Sequence, residues 1–137
     1  MELFLRILKF ATLGVATEIV FTAGCDVVNN LKEGKKIDPK LKGFSYIWMF
    51  PIYGLIPILG DYLLPFIQSY FFLLRWLIIG LIILLIEYIT GWIIQRLTGR
   101  CPWHYETGLH IHHLIRLDFL PFWMVFAGII EWLFYNY

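Results

Sequence analysis

Charge is what this chain has least of. Only 15% of its 137 residues are Asp, Glu, Lys or Arg, while 60% are hydrophobic; an average soluble domain is about a quarter charged and about half apolar. The formal net charge is +1, so no global field points to nucleic acid. Cysteine is scarce as well. Cys25 and Cys101 are the two, neither lies in a CxxC pair, and Cys25 falls within an apolar stretch, which argues against a disulfide framework. Ser45 and Ser69 are the only serines, so there is no GxSxG nucleophile elbow. A phosphate-binding P-loop is also missing, which excludes ATP hydrolysis by that route.

What fills the chain instead is hydrocarbon. A helix needs about 20 mostly apolar residues to cross roughly 30 Å of lipid. The sequence predicts four such helices: about Leu3 to Asn30, Phe44 to Leu64, Tyr70 to Leu97, and Leu114 to Tyr135. These use up almost the whole length, so residues 1–137 are expected to form one all-α, multi-pass transmembrane domain, a four-helix bundle. Pro51, Gly54, Pro57 and Gly60 fall in the second helix, which is expected to be kinked or partly unwound. The run Trp76 to Ile86 carries no charge at all. Tyr and Trp crowd the predicted helix ends, where amphipathic rings anchor to headgroups. The stretch Thr22-Ala23-Gly24-Cys25 imitates a lipoprotein signal, but Glu18 interrupts its apolar region, and the segment is expected to stay as a helix.

Basic residues set the expected orientation, because basic loops remain cytoplasmic. The first and third loops share a side, which holds Lys32, Lys35, Lys36, Lys40, Lys42, Arg96 and Arg100; the other side holds Arg6, Lys9 and Arg75. Seven against three places both loops in the cytoplasm and both termini outside.

Ionisable groups within lipid cost several kcal/mol unless paired or hydrated, so they mark sites by default. Glu18, Asp26, Glu87 and Asp118 are the four singled out. Glu18, Thr22, Cys25 and Asn29 form a polar stripe on the first helix at i, i+4, i+7 and i+11, with Asp26 beside it. Gly80, Glu87, Gly91 and Thr98 line one face of the third. Packing these two faces together would hide both glutamates near mid-membrane and let them share a proton. Arg116 and Asp118, placed about 200° apart on a helix, cannot pair there, which directs Arg116 toward Asp26. His104, His110, His112 and His113 invite a metal by their proximity but match no strong ligand motif, and neither a metal nor another cofactor is expected.

Four strings follow in order: Glu18-Ile-Val-Phe-Thr-Ala, Trp48-Met-Phe-Pro-Ile-Tyr-Gly54, Glu87-Tyr-Ile-Thr-Gly91 and Cys101-Pro-Trp-His-Tyr105. Together they resemble the transmembrane protein 229 family and the related bacterial proteins called putative ABC-transporter type IV (CmpB-like). The resemblance spans roughly Thr17 to Trp123. It implies a multi-helix membrane protein, with Glu18, Glu87, Gly91, Pro102, Trp103 and Tyr105 at family-type positions. The chain departs from the pattern at His104, where relatives tend to have aspartate, and at Asp118, where they tend to have glutamate.

Three functions compete on these grounds. The leading expectation is a permease-like or channel-like component for a small solute, cation or proton. Glu18 and Glu87 would be its site, and Asp26, Arg116 and Asp118 its mouth. Four helices enclose little volume, so a homo-oligomer or a partner membrane subunit is expected. The second is a lipid-binding or lipid-modifying enzyme, meeting a headgroup with Pro102, Trp103, His104 and Tyr105 and using Asp118 or Glu87 as base. The third is a non-catalytic assembly subunit.

Overall fold

A computed structural model describes residues Met1–Asn136. The chain is mostly helical. Helix α1 spans Glu2–Lys32, α2 Met49–Gly54, α3 Ile56–Ile67, α4 Phe72–Thr98 and α5 Leu120–Asn136. A small antiparallel hairpin, β1 (His110–Ile111) with β2 (Ile115–Arg116), lies between α4 and α5. Three helical stretches are long and apolar enough to cross a membrane: Met49–Ile67, Phe72–Thr98 and Leu117–Asn136.

The contacts divide the chain into two units, Met1–Leu59 and Gly60–Tyr137. In the first, α2 packs along α1. Small residues allow the approach: a methyl added to Gly14 would overlap the ring of Tyr53, and Gly54 lies against Ile7 and Ala11. Helix α1 stops where Gly34 takes φ +67°. There Gly34 N–H donates to the Leu31 carbonyl and Lys35 N–H to that of Asn30, a left-handed cap that satisfies the last carbonyls.

The expected second helix begins five residues late and breaks once. Residues 44 to 48 do not join it because Phe44 is bonded to α1 instead: its N–H donates to Thr22 Oγ1 at 2.8 Å, and Thr22 Oγ1 donates back to the Phe44 carbonyl at 2.9 Å. Gly43 makes this possible, since any Cβ there would run into the Ile19 carbonyl. The break falls at Leu55, between α2 and α3. It lies two residues before Pro57, whose ring removes a donor and crowds the preceding turn.

In the second unit, α4 and α5 are antiparallel neighbours. Leu120 and Met124 approach Gly80, and Trp76 lies against Gly128. The α4 residues turned inward are Ile79, Gly80, Leu84, Glu87, Gly91 and Ile94, the face the glycine spacing marks out. Leu64, Ile67, Ile79 and Ala127 form an apolar core around which Trp76 and Phe134 close.

The expected fourth helix also starts late, at Leu120 rather than Leu114. Leu114 to Arg116 belong to the hairpin, so the chain is not purely α. His112 and His113 take φ +49° and +60°, and Leu114 N–H donates to the Ile111 carbonyl at 2.9 Å. Two consecutive positive φ values are what a type I′ hairpin turn demands. Asn and Gly usually supply them, and here two histidines do.

Candidate functional site

Glu87 is the most deeply buried of the acids singled out from sequence, 5% exposed on an inward face of α4. It lies fifteen residues into that helix, about 22 Å from its start. The segment after α4 folds back to cover it. Gly99, at φ +83°, ends the helix by donating its N–H to Gln95 O, and the chain reverses. Trp103, 3% exposed, lies over Gly91, where Cys101 Sγ and Leu114 also close in. Its indole N–H donates to the Leu114 carbonyl at 2.9 Å. Tyr105 is then fixed by the hairpin: its N–H donates to the His113 carbonyl at 3.0 Å, and its carbonyl lies 2.7 Å from His113 Nδ1. So placed, the Tyr105 hydroxyl donates to Glu87 Oε1 at 2.8 Å. One turn face away, the Tyr88 hydroxyl meets His112 Nδ1 at 2.8 Å.

Glu18 has an equivalent neighbourhood in its own unit. Ser45 Oγ donates to Glu18 Oε2 at 2.8 Å, and the Tyr53 hydroxyl bonds it as well. The polar stripe of α1 is therefore used by the connection that follows α1: Glu18 takes Ser45 and Thr22 takes Phe44. Asp26 is exposed and accepts from Asn30 Nδ2 at 3.0 Å, one turn along the same helix.

Arg116 and Asp118 overturn the sequence expectation. They form a direct ion pair, because neither sits in a regular α-helix: Arg116 ends β2, and Asp118 lies in a 3-10 turn over Leu117–Phe119. The 200° argument holds only on an α-helix. Asp118 Oδ1 also accepts the Leu109 N–H at 3.2 Å, and the guanidinium lies over the Phe119 ring at 4.1 Å and against Gly108. This clamp closes the base of the hairpin and engages Arg116 within its own loop.

The interfacial string is split in the same way. Pro102 is half-buried, Trp103 is buried and Tyr105 is turned toward Glu87, while His104 alone is exposed. The rings of His104, His113 and His110 stack in a row, with centroids 4.5 and 4.3 Å apart. Face-to-face stacking keeps ring nitrogens from converging on one point. Among the described residues, no group of three or more His, Cys, Asp or Glu could hold a metal ion. Burial pushes the Cys101 thiol above its usual range, and the nearby Glu87 charge adds to that; a hydrogen bond from Trp103 opposes both.

One buried acid was missed from sequence. Glu131 on α5 is 6% exposed and pairs with Arg75 on α4, with Nε to Oε1 at 2.5 Å and Nη2 to Oε2 at 3.2 Å. Trp76 Nε1 donates to Oε2 at 3.0 Å, and Arg75 also donates to the Tyr70 carbonyl at 2.8 Å. The signal was available: Glu131 follows Ala127 and Gly128 by a helical turn, on the side of α5 where small residues admit a neighbour. From sequence alone, Arg75, within the third helix, counts only as a charge that sets orientation.

No curated protein and no solved structure matches the chain. A family match covers residues 8–137. This chain belongs to the family described as putative ABC-transporter type IV.

Proposed function

We propose that the protein is a transport-related membrane component in which Glu87 is the group that exchanges a proton or a small cation. The observation that carries this is the pairing of the buried Glu87 carboxylate with the Tyr105 hydroxyl on a helix otherwise built for lipid. An intramembrane carboxylate used only as mortar would be better served by an amide or a hydroxyl, which carry no ionisation cost. The family match supports transport as the class.

In this reading α1, α2 with α3, α4 and α5 make four crossings, kinked at Leu55, with the Lys-rich and hairpin connections on the cytoplasmic side. If the hydrocarbon begins at Phe72 and is about 30 Å thick, Glu87 lies about 22 Å in, in the leaflet on the hairpin side and not at the midplane. The proton or cation then reaches it past Tyr105 from that side. A homo-oligomer or partner subunit supplies the remaining walls of the path.

Reconstituted vesicles carrying a pH-sensitive dye and a potassium gradient test this reading. Glu87→Gln should cut proton or potassium flux at least tenfold, and Asp26→Asn should leave it near wild type. Flux unchanged in Glu87→Gln would remove the proposal.

A further inference from the structure

The two units, each described by itself above, share one construction. A long helix, α1 or α4, carries a glutamate, Glu18 or Glu87. The helix ends at a glycine of positive φ, Gly34 or Gly99. The connection then runs back beside the helix it has just left, and a hydroxyl from it donates to the carboxylate at 2.8 Å in both cases, Ser45 to Glu18 and Tyr105 to Glu87. A second helix follows and packs antiparallel on the first. In the first unit Tyr53, one turn into α2, meets Gly14, and in the second Leu120, at the start of α5, meets Gly80.

We propose that the chain is a tandem of two like helix–connection–helix units, and that each holds its own glutamate as an independent proton-binding site latched by a hydroxyl of the connection. The partner chemistry is the argument. A hydroxyl is both donor and acceptor. It donates to the carboxylate, and it accepts from the carboxylic acid once a proton has arrived. That one contact can therefore be kept in both states as a proton enters and leaves.

Glu131 shows the contrast within the same molecule. Its partner, Arg75, can only donate and is always charged, so the two form an ion pair that serves structure. The other groups near the two sites fit this division. Tyr53 bonds Glu18, and Cys101 lies by Glu87; a phenol and a thiol carry no positive charge. Arg75 pairs with Glu131 and Arg116 with Asp118.

This inference deepens the transport reading and rests on it for what the protons do, but its test needs no turnover. Infrared difference spectra of the protein in phosphatidylcholine bilayers, recorded across pH, report each carboxylic acid carbonyl directly. Two titrating bands are expected. Glu18→Gln should remove the first and Glu87→Gln the second, each leaving the midpoint of the survivor in place. Ser45→Ala should move only the first midpoint, and Tyr105→Phe only the second. Loss of both bands on either glutamine substitution would show one shared proton and overturn the proposal. So would a missing band at either glutamate, or a midpoint that follows the other unit's hydroxyl. Two intact bands without any flux would instead count against transport alone.

Discussion

At the scale of single residues, the decisive distinction is between acids held by a cation and acids held by a hydroxyl. Composition alone could not make it, because it depends on which side chain arrives opposite. Glu87 and Glu18 were legible as exceptions to an apolar background. Glu131 was not, since it lies near the end of its helix, where an acid looks like an interfacial residue. The Arg75–Glu131 pair gives the sharpest stability prediction. Arg75→Met strands a buried carboxylate and should cost about 3–5 kcal/mol, whereas Arg75→Met with Glu131→Leu should recover most of it. Thermal midpoints of both variants in one detergent decide this; equal loss in the two would mean that packing matters and charge does not. Gly14→Ala should cost about 1–3 kcal/mol by overpacking, because the added methyl meets the Tyr53 ring. Cys101 supplies a pH prediction. Burial raises its pKa, so the folded state favours the thiol; the associated stability is whole below the unfolded-state pKa and fades as pH rises through the folded one. In a Cys25→Ser background, maleimide labelling of Cys101 should reach half its maximal rate at a higher pH than a free thiol does. Labelling that tracks the free thiol would refute its burial.

At the scale of elements, the long apolar helices were readable and the connections were not. Helix α4 has every ordinary signal: an uncharged run, inward glycines and a glycine cap. Phe44 reads as the start of a helix because apolar residues follow it, yet its backbone N–H and carbonyl are both bonded to Thr22. The hairpin was hidden for a different reason, since His112 and His113 occupy turn positions that Asn and Gly normally announce. That hairpin has a removable clamp. Asp118→Asn, or Gly108→Ala with its methyl driven into the Arg116 guanidinium, should speed amide exchange across residues 105 to 117 and leave α4 and α5 protected. If the whole second unit exchanges together, the hairpin is not a separable element. The exposed ends of the clamp make its own contribution to global stability small, of the order of 1 kcal/mol or less.

At the scale of the whole molecule, membrane character and family were legible, and the duplicated construction was not. Repeats are found by self-similarity at a fixed spacing. Here the latch lies 27 residues after its glutamate in one unit and 18 in the other, and serine in one is tyrosine in the other. What recurs is a hydroxyl of the connection laid against a helix carboxylate, which no residue-by-residue comparison registers. Sidedness remains a prediction from the seven-to-three bias in basic residues: a cysteine at Lys36 should react with an impermeant maleimide only from the cytoplasmic face, and labelling from outside would invert the assigned orientation. The backfolded connections also bear on how the protein is made. Ser45 is synthesised 27 residues after Glu18, a delay of a few seconds at about 5–20 residues per second. During that interval the nascent helix carries an acid with no latch, so release into lipid must wait for the connection. Once Tyr53 has emerged, each partner named here for Glu18 and Thr22 is present, and the first unit can be handed to the bilayer while the second is still being translated.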